Sequence, residues 1–250
     1  MVIHLDLAVP KSLSAAVEER IRDAIVNAEL AFGQALPEDG VGLAMGVSRT
    51  PMREALTRLQ AQGLVVIVPK KGTFVFDPSP GDVDQLAAFR LMLESEAVRL
   101  SLAVAPEATA SGLRASHAAM QRARAAGDGR AYARADTDFH GCFLRECGNA
   151  YLAKAYLAIA WQVAALRAQL SVPRSHEQDT SLAEHAAMIG HFEAGEPGPL
   201  LAILGRHILR AAAVYREAIR SRADAGVAAG RSPGAATRAG AARPFSGGEP

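Results

Sequence analysis

Between Asp82 and about Arg222 the chain carries an almost unbroken helical pattern, interrupted only at residues that end helices. The interruptions fall at Ala105-Pro106, Gly127-Asp128-Gly129, Gly148-Asn149, Val172-Pro173 and Gly195 to Pro199. They predict six helices, over roughly 82–104, 107–126, 130–147, 149–171, 179–194 and 199–222. Few β-branched pairs disturb these segments, so the expected fold of this half is an all-α bundle. A length of 250 residues leaves room for a second, smaller domain with its own core. The most apolar stretch, Ala155 to Leu166, contains Gln162 and is bounded by Lys154 and Arg167, too short to span a bilayer. His4 and Asp6 interrupt any basic-then-apolar leader after Met1. The two cysteines, Cys142 and Cys147, lie five residues apart and face away from each other on a helix. The expectation is a cytoplasmic protein with no disulfide and no membrane partner.

The first 76 residues read differently. Val17, Ile21 and Ile25 mark an amphipathic helix ending near Leu30, and Phe32-Gly33 and Leu36-Pro37 break the pattern. A short helix over Glu38–Met45 is weakened by Gly40 and Gly42, which cost up to ~1 kcal/mol each relative to alanine. A better helix begins near Ser48, with Thr50 as a cap and Pro51 in its first turn. Met52, Ala55, Leu56 and Leu59 form its buried stripe, and Gly63 closes it. Leu64–Val68 and Thr73–Phe76 flank Pro69-Lys70-Lys71-Gly72, a hairpin with a basic tip. Residues 77–81, Asp-Pro-Ser-Pro-Gly, read as a linker to the helical domain at 82–222. In 223–250, 18 of 28 residues are Ala, Gly or Pro, which predicts a disordered tail.

The chain's formal net charge is only +1, yet Ser48–Phe76 holds five basic residues and one acidic residue, Glu54. A basic segment in a neutral chain suggests one surface built for a polyanion. Three helices followed by a strand pair is the winged helix-turn-helix layout. Arg49 and Arg53 are four residues apart on one face of the third helix, flanked by Thr50 and Thr57 and opposite the apolar stripe. Arginine offers a donor fork that matches the major-groove edge of guanine, and threonine can contact a phosphate or a thymine methyl. Lys70 and Lys71 would reach a phosphate or the minor groove, and Gly72 allows close backbone approach. Either element alone would read as a solvated helix face or an ordinary basic turn; together, in this order, they favour DNA binding. The spacing Gly40-x-Gly42-x-x-x-Gly46 imitates a dinucleotide fingerprint, but no strand precedes it and no βαβ pattern follows.

The run GVSRTPMREALTRLQAQGLVVIVPKKGTFV, Gly46 to Val75, closely resembles the DNA-binding domain of GntR-family transcription regulators. Glu19 to Glu38 resembles that family's first helix and its approach to the second. The resemblance implies that Arg49, Thr50 and Arg53 contact the major groove of operator DNA and that Lys70, Lys71 and Gly72 form the wing tip. One departure stands out. After Pro37-Glu38 the family usually opens its second helix with Arg-Glu-Leu-Ala, whereas this chain reads Asp39-Gly40-Val41-Gly42. An acidic side chain replaces a cation near the phosphates, so affinity or operator choice is expected to differ from the family norm. The two glycines also suggest a second helix poorly formed before DNA binds.

The helical half contains a pattern of its own. Asp136 and His140 form an i,i+4 pair, while His185 and His207 sit in apolar stretches of the fifth and sixth bundle helices. A lone buried histidine is usually a hydrogen-bonded core residue. Three of them with an aligned carboxylate, on three helices of one bundle, suit a zinc-like or nickel-like ion. His191, six residues from His185, faces elsewhere. Residues 82–222 also resemble the FCD ligand-binding domain of FadR-type GntR regulators, through Arg90-x3-Glu94, Asp136-Thr-Asp-Phe-His140, Gly148-Asn149-x-Tyr-Leu152, Glu184-His185-x3-Ile189 and His207. The resemblance implies a divalent metal, zinc or nickel, held by Asp136, His140, His185 and His207. It also implies a small carboxylate effector on the metal's free positions, with Arg90 as second anchor. Arg90 reads equally as an i,i+4 partner of Glu94, and Arg145, Arg167 and Arg210 as solvated.

These readings converge on a ligand-responsive transcription regulator, a repressor by expectation, acting as a homodimer on a two-fold operator. A metal sensor in which the ion is itself the signal shares every ligand. A metalloenzyme would need a general base beside the metal, and no HExxH, nucleophile elbow or phosphate loop is present; Asp138 lies on another face. The enzyme reading is the weakest of the three.

Overall fold

The computed structural model describes residues 12–170 and 175–228. The N-terminal part runs α1 (Leu13–Val26), β1 (Ala35–Leu36), α2 (Glu38–Met45), α3 (Arg49–Ala61), β2 (Val65–Val68) and β3 (Gly72–Val75). It is a winged helix-turn-helix. Ser12 caps α1 by accepting from the Ala15 amide, and Val17, Ile21, Ala24 and Ile25 bury its apolar stripe. The helix stops at Val26, four residues before the expected end, and Ala28 then takes a positive φ of 56°. The sheet order is β1-β3-β2, all antiparallel, with Val68 opposite Gly72 and Leu36 opposite Thr73. The hairpin was expected from the sequence. Strand β1, only two residues long, was not, because two residues carry no alternation to recognise.

Helix α2 spans Glu38–Met45 with Gly40 and Gly42 inside it, and α3 differs from expectation in one detail. Gly42 is buried there, and a Cβ on it would stand 3.2 Å from the Val47 carbonyl oxygen, so close packing of the turn favours glycine. The N-cap of α3 is Ser48, not Thr50, which lies inside the first turn.

The C-terminal part is all helix: α4 (Pro80–Val104), α5 (Pro106–Ala125), α6 (Gly129–Glu146), α7 (Ala150–Leu170), α8 (Ser175–Glu193) and α9 (Pro197–Ala228). Helix α4 starts inside the expected linker, because Ser79 and Asp82 form a reciprocal capping box with Pro80 in the first turn. Helix α8 begins four residues earlier than expected, and α9 continues to Ala228, so 223–228 is helical rather than disordered. The Val172-Pro173 break, His4 and residues 229–250 lie outside the described residues. Cys142 and Cys147 are both buried free thiols. Packing of α5 on α6 is tight enough that a Cβ on Gly112 would sit 2.8 Å from the Cys142 sulfur.

Helix α7 joins the two parts. Gln169 donates to the carbonyls of Ile25 (3.3 Å) and Leu30 (3.1 Å) and accepts from the Phe32 amide (3.0 Å). Gln162 donates to the Gly63 carbonyl at 3.0 Å, and the Arg22 guanidinium lies 4.6 Å from the Trp161 ring centroid. Fold class and helix order thus agree with the sequence reading, with one apolar core running through both parts.

Candidate functional site

In the bundle, α6 brings Asp136 and His140 to one face a turn apart, α8 adds His185 and α9 adds His207. All four are buried, and one potential ligand atom from each lies within 4.8 Å of the others. His140 Nδ1 donates to Glu94 at 2.8 Å, and His207 Nδ1 donates to Glu184 at 2.7 Å. A carboxylate only accepts, so both Nδ1 atoms face outward with their protons. The two Nε2 atoms therefore turn inward and stand 3.2 Å apart. Two nitrogens bound to one zinc-like ion at about 2.0–2.1 Å stand about 3.3 Å apart in a tetrahedron. In neutral rings two lone pairs at this distance repel each other unless a cation lies between them. Neither nitrogen of His185 has a hydrogen-bond partner among the described residues, although its Nε2 lies 3.5 Å from Asp136 Oδ1. The four residues thus fit a divalent ion, through three neutral imidazoles and a carboxylate.

Electrostatics agree. Burial holds His140 and His185 well below the usual imidazole range, which keeps their lone pairs free at neutral pH. Burial opposes the charge of Asp136, but the Arg167 guanidinium paired with it, together with His185, His140 and His207, outweighs burial and holds the carboxyl well below its ordinary range. Glu184 likewise resists burial through hydrogen bonds from His207 and Arg210, which bring it down to about 2. Tyr156, buried and donating to Glu94, is pushed up to about 12. Such outer carboxylates orient metal-ligating imidazoles and raise their basicity.

A cavity of about 50 Å³ opens beside the cluster, lined among others by Arg90, Tyr132, Asp136, Arg167, Ser181, His207 and Arg210. Arg90 forms the i,i+4 ion pair read from the sequence. It pairs with Glu94 at 2.5 Å and lines the cavity, where its Nη2 has no partner among the described residues. Arg167, read as solvated, is instead buried: besides Asp136 it donates to Thr137, and its Nη2 is also unpartnered among the described residues. Arg210 is half-buried and tied to Glu177 and Glu184, again not simply solvated. Arg145 is exposed, as expected. His191 is bonded to Glu196 and stays apart from the cluster, and Asp138 is exposed.

The other candidate surface is α3 and the wing. Arg49, Thr50, Arg53 and Thr57 are exposed, opposite buried Met52, Ala55, Leu56 and Leu59. Thr57 Oγ1 donates to the Arg53 carbonyl, which occupies its hydroxyl proton. Arg58 points inward to Glu18 at 2.7 Å, and Gln62 reaches the same carboxylate. Arg49 makes a two-point bond with Asp39, and Arg53 lies 3.5 Å from Glu38. Among the described residues, Lys70 and Lys71 alone of the basic segment have no carboxylate partner. Lys70 takes a positive φ of 63° and Gly72 one of 115°, which turns the exposed tip Lys70-Lys71-Gly72 outward from the sheet.

The family model "FCD domain" matches residues 85–210, and "Bacterial regulatory proteins, gntR family" matches residues 13–75. The chain belongs to the GntR family. A Paenarthrobacter nicotinovorans protein described as "Probable D-xylose utilization operon transcriptional repressor" is 32% identical over 187 residues, covering 72% of this chain and 80% of that protein. The transcriptional repressor NanR of Klebsiella aerogenes is 27% identical over 235 residues, covering 86% and 90%. A solved GntR regulator from Rhodococcus sp. superposes with a TM-score of 0.72 at 20% identity, covering 81% of this chain and 96% of that one. Escherichia coli McbR/YncC gives the same TM-score at 19% identity, over 82% and 98%. As a GntR regulator of the FCD type, the chain is a DNA-binding transcription regulator and not an enzyme. Among the described residues no helix is long and apolar enough to cross a membrane.

Sequence reasoning missed Glu94, Glu184, Tyr156 and Arg167 as parts of the site. Glu94 and Glu184 had a signal, since each sits in a quoted motif, four residues after Arg90 and directly before His185 respectively.

Proposed function

We propose that this GntR protein is a repressor whose hold on operator DNA is controlled by a small carboxylate bound at a divalent ion in the helical domain. The reading rests on the inward-facing Nε2 atoms of His140 and His207 at 3.2 Å, a spacing that a shared cation explains and that two neutral rings protonated at Nδ1 do not. Asp136, His140, His185 and His207 would hold the ion, zinc first and nickel as its competitor. Bound there, the ion supplies a Lewis-acid centre for a carboxylate oxygen. Arg90 Nη2 and Arg167 Nη2, both unpartnered among the described residues, are suited to take the rest of the anion, because a guanidinium pairs two-pronged with carboxylate. The burial of all four ligands favours a resident ion over one that is itself the signal.

Arg49, Thr50 and Arg53 would read base edges in the major groove, and Lys70, Lys71 and Gly72 would hold backbone phosphate. A homodimer would present two such helices to successive grooves of a two-fold operator. Helix α7 supports the coupling, because Arg167 at its end lines the cavity while Gln162 and Gln169 grip the DNA-binding part. A ligand that favours one arrangement of α7 changes DNA affinity by its differential affinity for the two arrangements.

The test is a titration of promoter duplex from upstream of the gene, with zinc-loaded and chelator-stripped full chain, against a panel of small carboxylates. Release of DNA by one carboxylate from the loaded protein alone supports the proposal. Equal DNA affinity in every condition contradicts it.

A further inference from the structure

The pairing of Arg49 with Asp39 has a geometry that bears on base choice. Asp39 Oδ1 accepts from Arg49 Nε at 2.8 Å and Oδ2 accepts from Nη2 at 3.0 Å. That occupies one edge of the planar guanidinium. The end-on edge, with one N–H from each terminal nitrogen, stays available as the donor pair that fits guanine O6 and N7. We propose that Asp39 is a positioning residue that locks Arg49 in this orientation, so that preference for guanine at one operator position depends on a side chain of α2. The proposal rests on the reading of α3 as the DNA-reading helix.

Three observations support it. The pair is exposed, at 73% for the arginine side chain and 70% for the aspartate, so it adds little to folding, and its ordered two-point form calls for another role. The carboxylate cancels the charge that would draw Arg49 to any phosphate, which weakens sequence-independent attraction and leaves directional hydrogen bonding. A guanidinium already held in place also loses less side-chain freedom on docking. Arg53 supplies an internal contrast: its contact with Glu38 is a single one at 3.5 Å, and the other Glu38 oxygen accepts from Thr73 on the wing strand. Arg53 is therefore held loosely where Arg49 is held firmly.

The experiment selects binding sites from a pool of random-sequence DNA duplexes with full-length wild type, Arg49→Ala, Asp39→Ala and Asp39→Asn. Affinities for the selected duplex and its single-base-pair variants are then measured at several salt concentrations. Wild type is expected to discriminate about tenfold or more at the guanine that Arg49→Ala no longer reads. Asp39→Ala is expected to reduce discrimination at that same base pair to about twofold, to bind unselected duplexes more tightly and to steepen the salt slope by about one. Asp39→Asn, which keeps one acceptor, falls between. If Asp39→Ala strengthens binding to all duplexes equally and leaves the guanine preference intact, Asp39 is only a charge and the proposal fails. No change at all overturns it too. If Arg49→Ala leaves every base preference unchanged, the reading of α3 itself fails, and the two failures are thereby told apart.

Discussion

Replacing His185 by leucine separates a metal site from an ordinary polar core, because the two accounts predict opposite signs in the absence of metal. Both nitrogens of His185 are buried and unpartnered among the described residues, while its ring packs 4.2 Å, centroid to centroid, from Phe139. Each such buried unsatisfied group costs about 1–3 kcal/mol, and an apolar replacement of similar volume relieves that cost at a packing penalty of under about 1.5 kcal/mol. Metal-free His185→Leu is therefore expected to match or exceed metal-free wild type by about 0–2 kcal/mol. Zinc reverses the order. At a free concentration a hundredfold above Kd, an ion that binds only the folded state adds about 2.7 kcal/mol, or about 5–11 °C in Tm for a domain of this size. His185→Leu should lose most of that gain. The assay is thermal unfolding of both proteins in chelator and in buffered zinc. If the substitution destabilises the protein equally in both conditions, His185 is a core residue and the reasoning is refuted.

Glu184→Gln, which removes the charge behind His207 and one of the two carboxylates paired with Arg210, should weaken zinc binding about 10–100-fold while the fold persists, as read by competition with a chromophoric chelator. Gln169→Ala removes three of the hydrogen bonds from α7 to the DNA-binding part, leaving that of Gln162; we expect a loss of about 1–3 kcal/mol in stability, unchanged zinc affinity, and a smaller effect of zinc and carboxylate on DNA binding. A normal effector response in that variant would rule out α7 as the coupling element. Acid should loosen the DNA-binding part through Glu18. Burial raises its pKa, but hydrogen bonds from Gln62 and Arg58 outweigh burial and leave it below the ordinary 4.5. With the folded value below the unfolded one, its stabilisation is full above about pH 4.5 and fades as the pH falls through the lower folded value. Glu18→Gln should flatten that part of the stability–pH curve, and an unaltered curve would show that the α1–α3 tie is unimportant.

The helices of the bundle were legible because proline, glycine and asparagine punctuate a 3.6-residue pattern, and Asp136 and His140 were legible because a helix places i and i+4 on one face. His185 and His207 were set beside them as histidines in apolar helical stretches, a weaker sign that the family resemblance sharpened, since no spacing rule links residues on different helices. Arg167 was misread for a physical reason. A cation at the edge of an apolar run reads as its solvated boundary, yet Ala165, Leu166, Ala168 and Leu170 around it are all buried, and only the partner Asp136 on another helix makes its burial tolerable. Asp39 was seen as a missing cation near phosphate. Its bond to Arg49 joins α2 to α3 across a turn whose geometry depends on Gly46, at a positive φ of 65°, and that geometry is not written in local sequence.

The most direct test of the metal-centred account is anomalous diffraction above and below the zinc edge from crystals of zinc-loaded protein. The account predicts one strong peak per chain enclosed by Asp136 and the nitrogens of His140, His185 and His207. A cluster without a peak, its imidazoles sharing a proton instead, would contradict it.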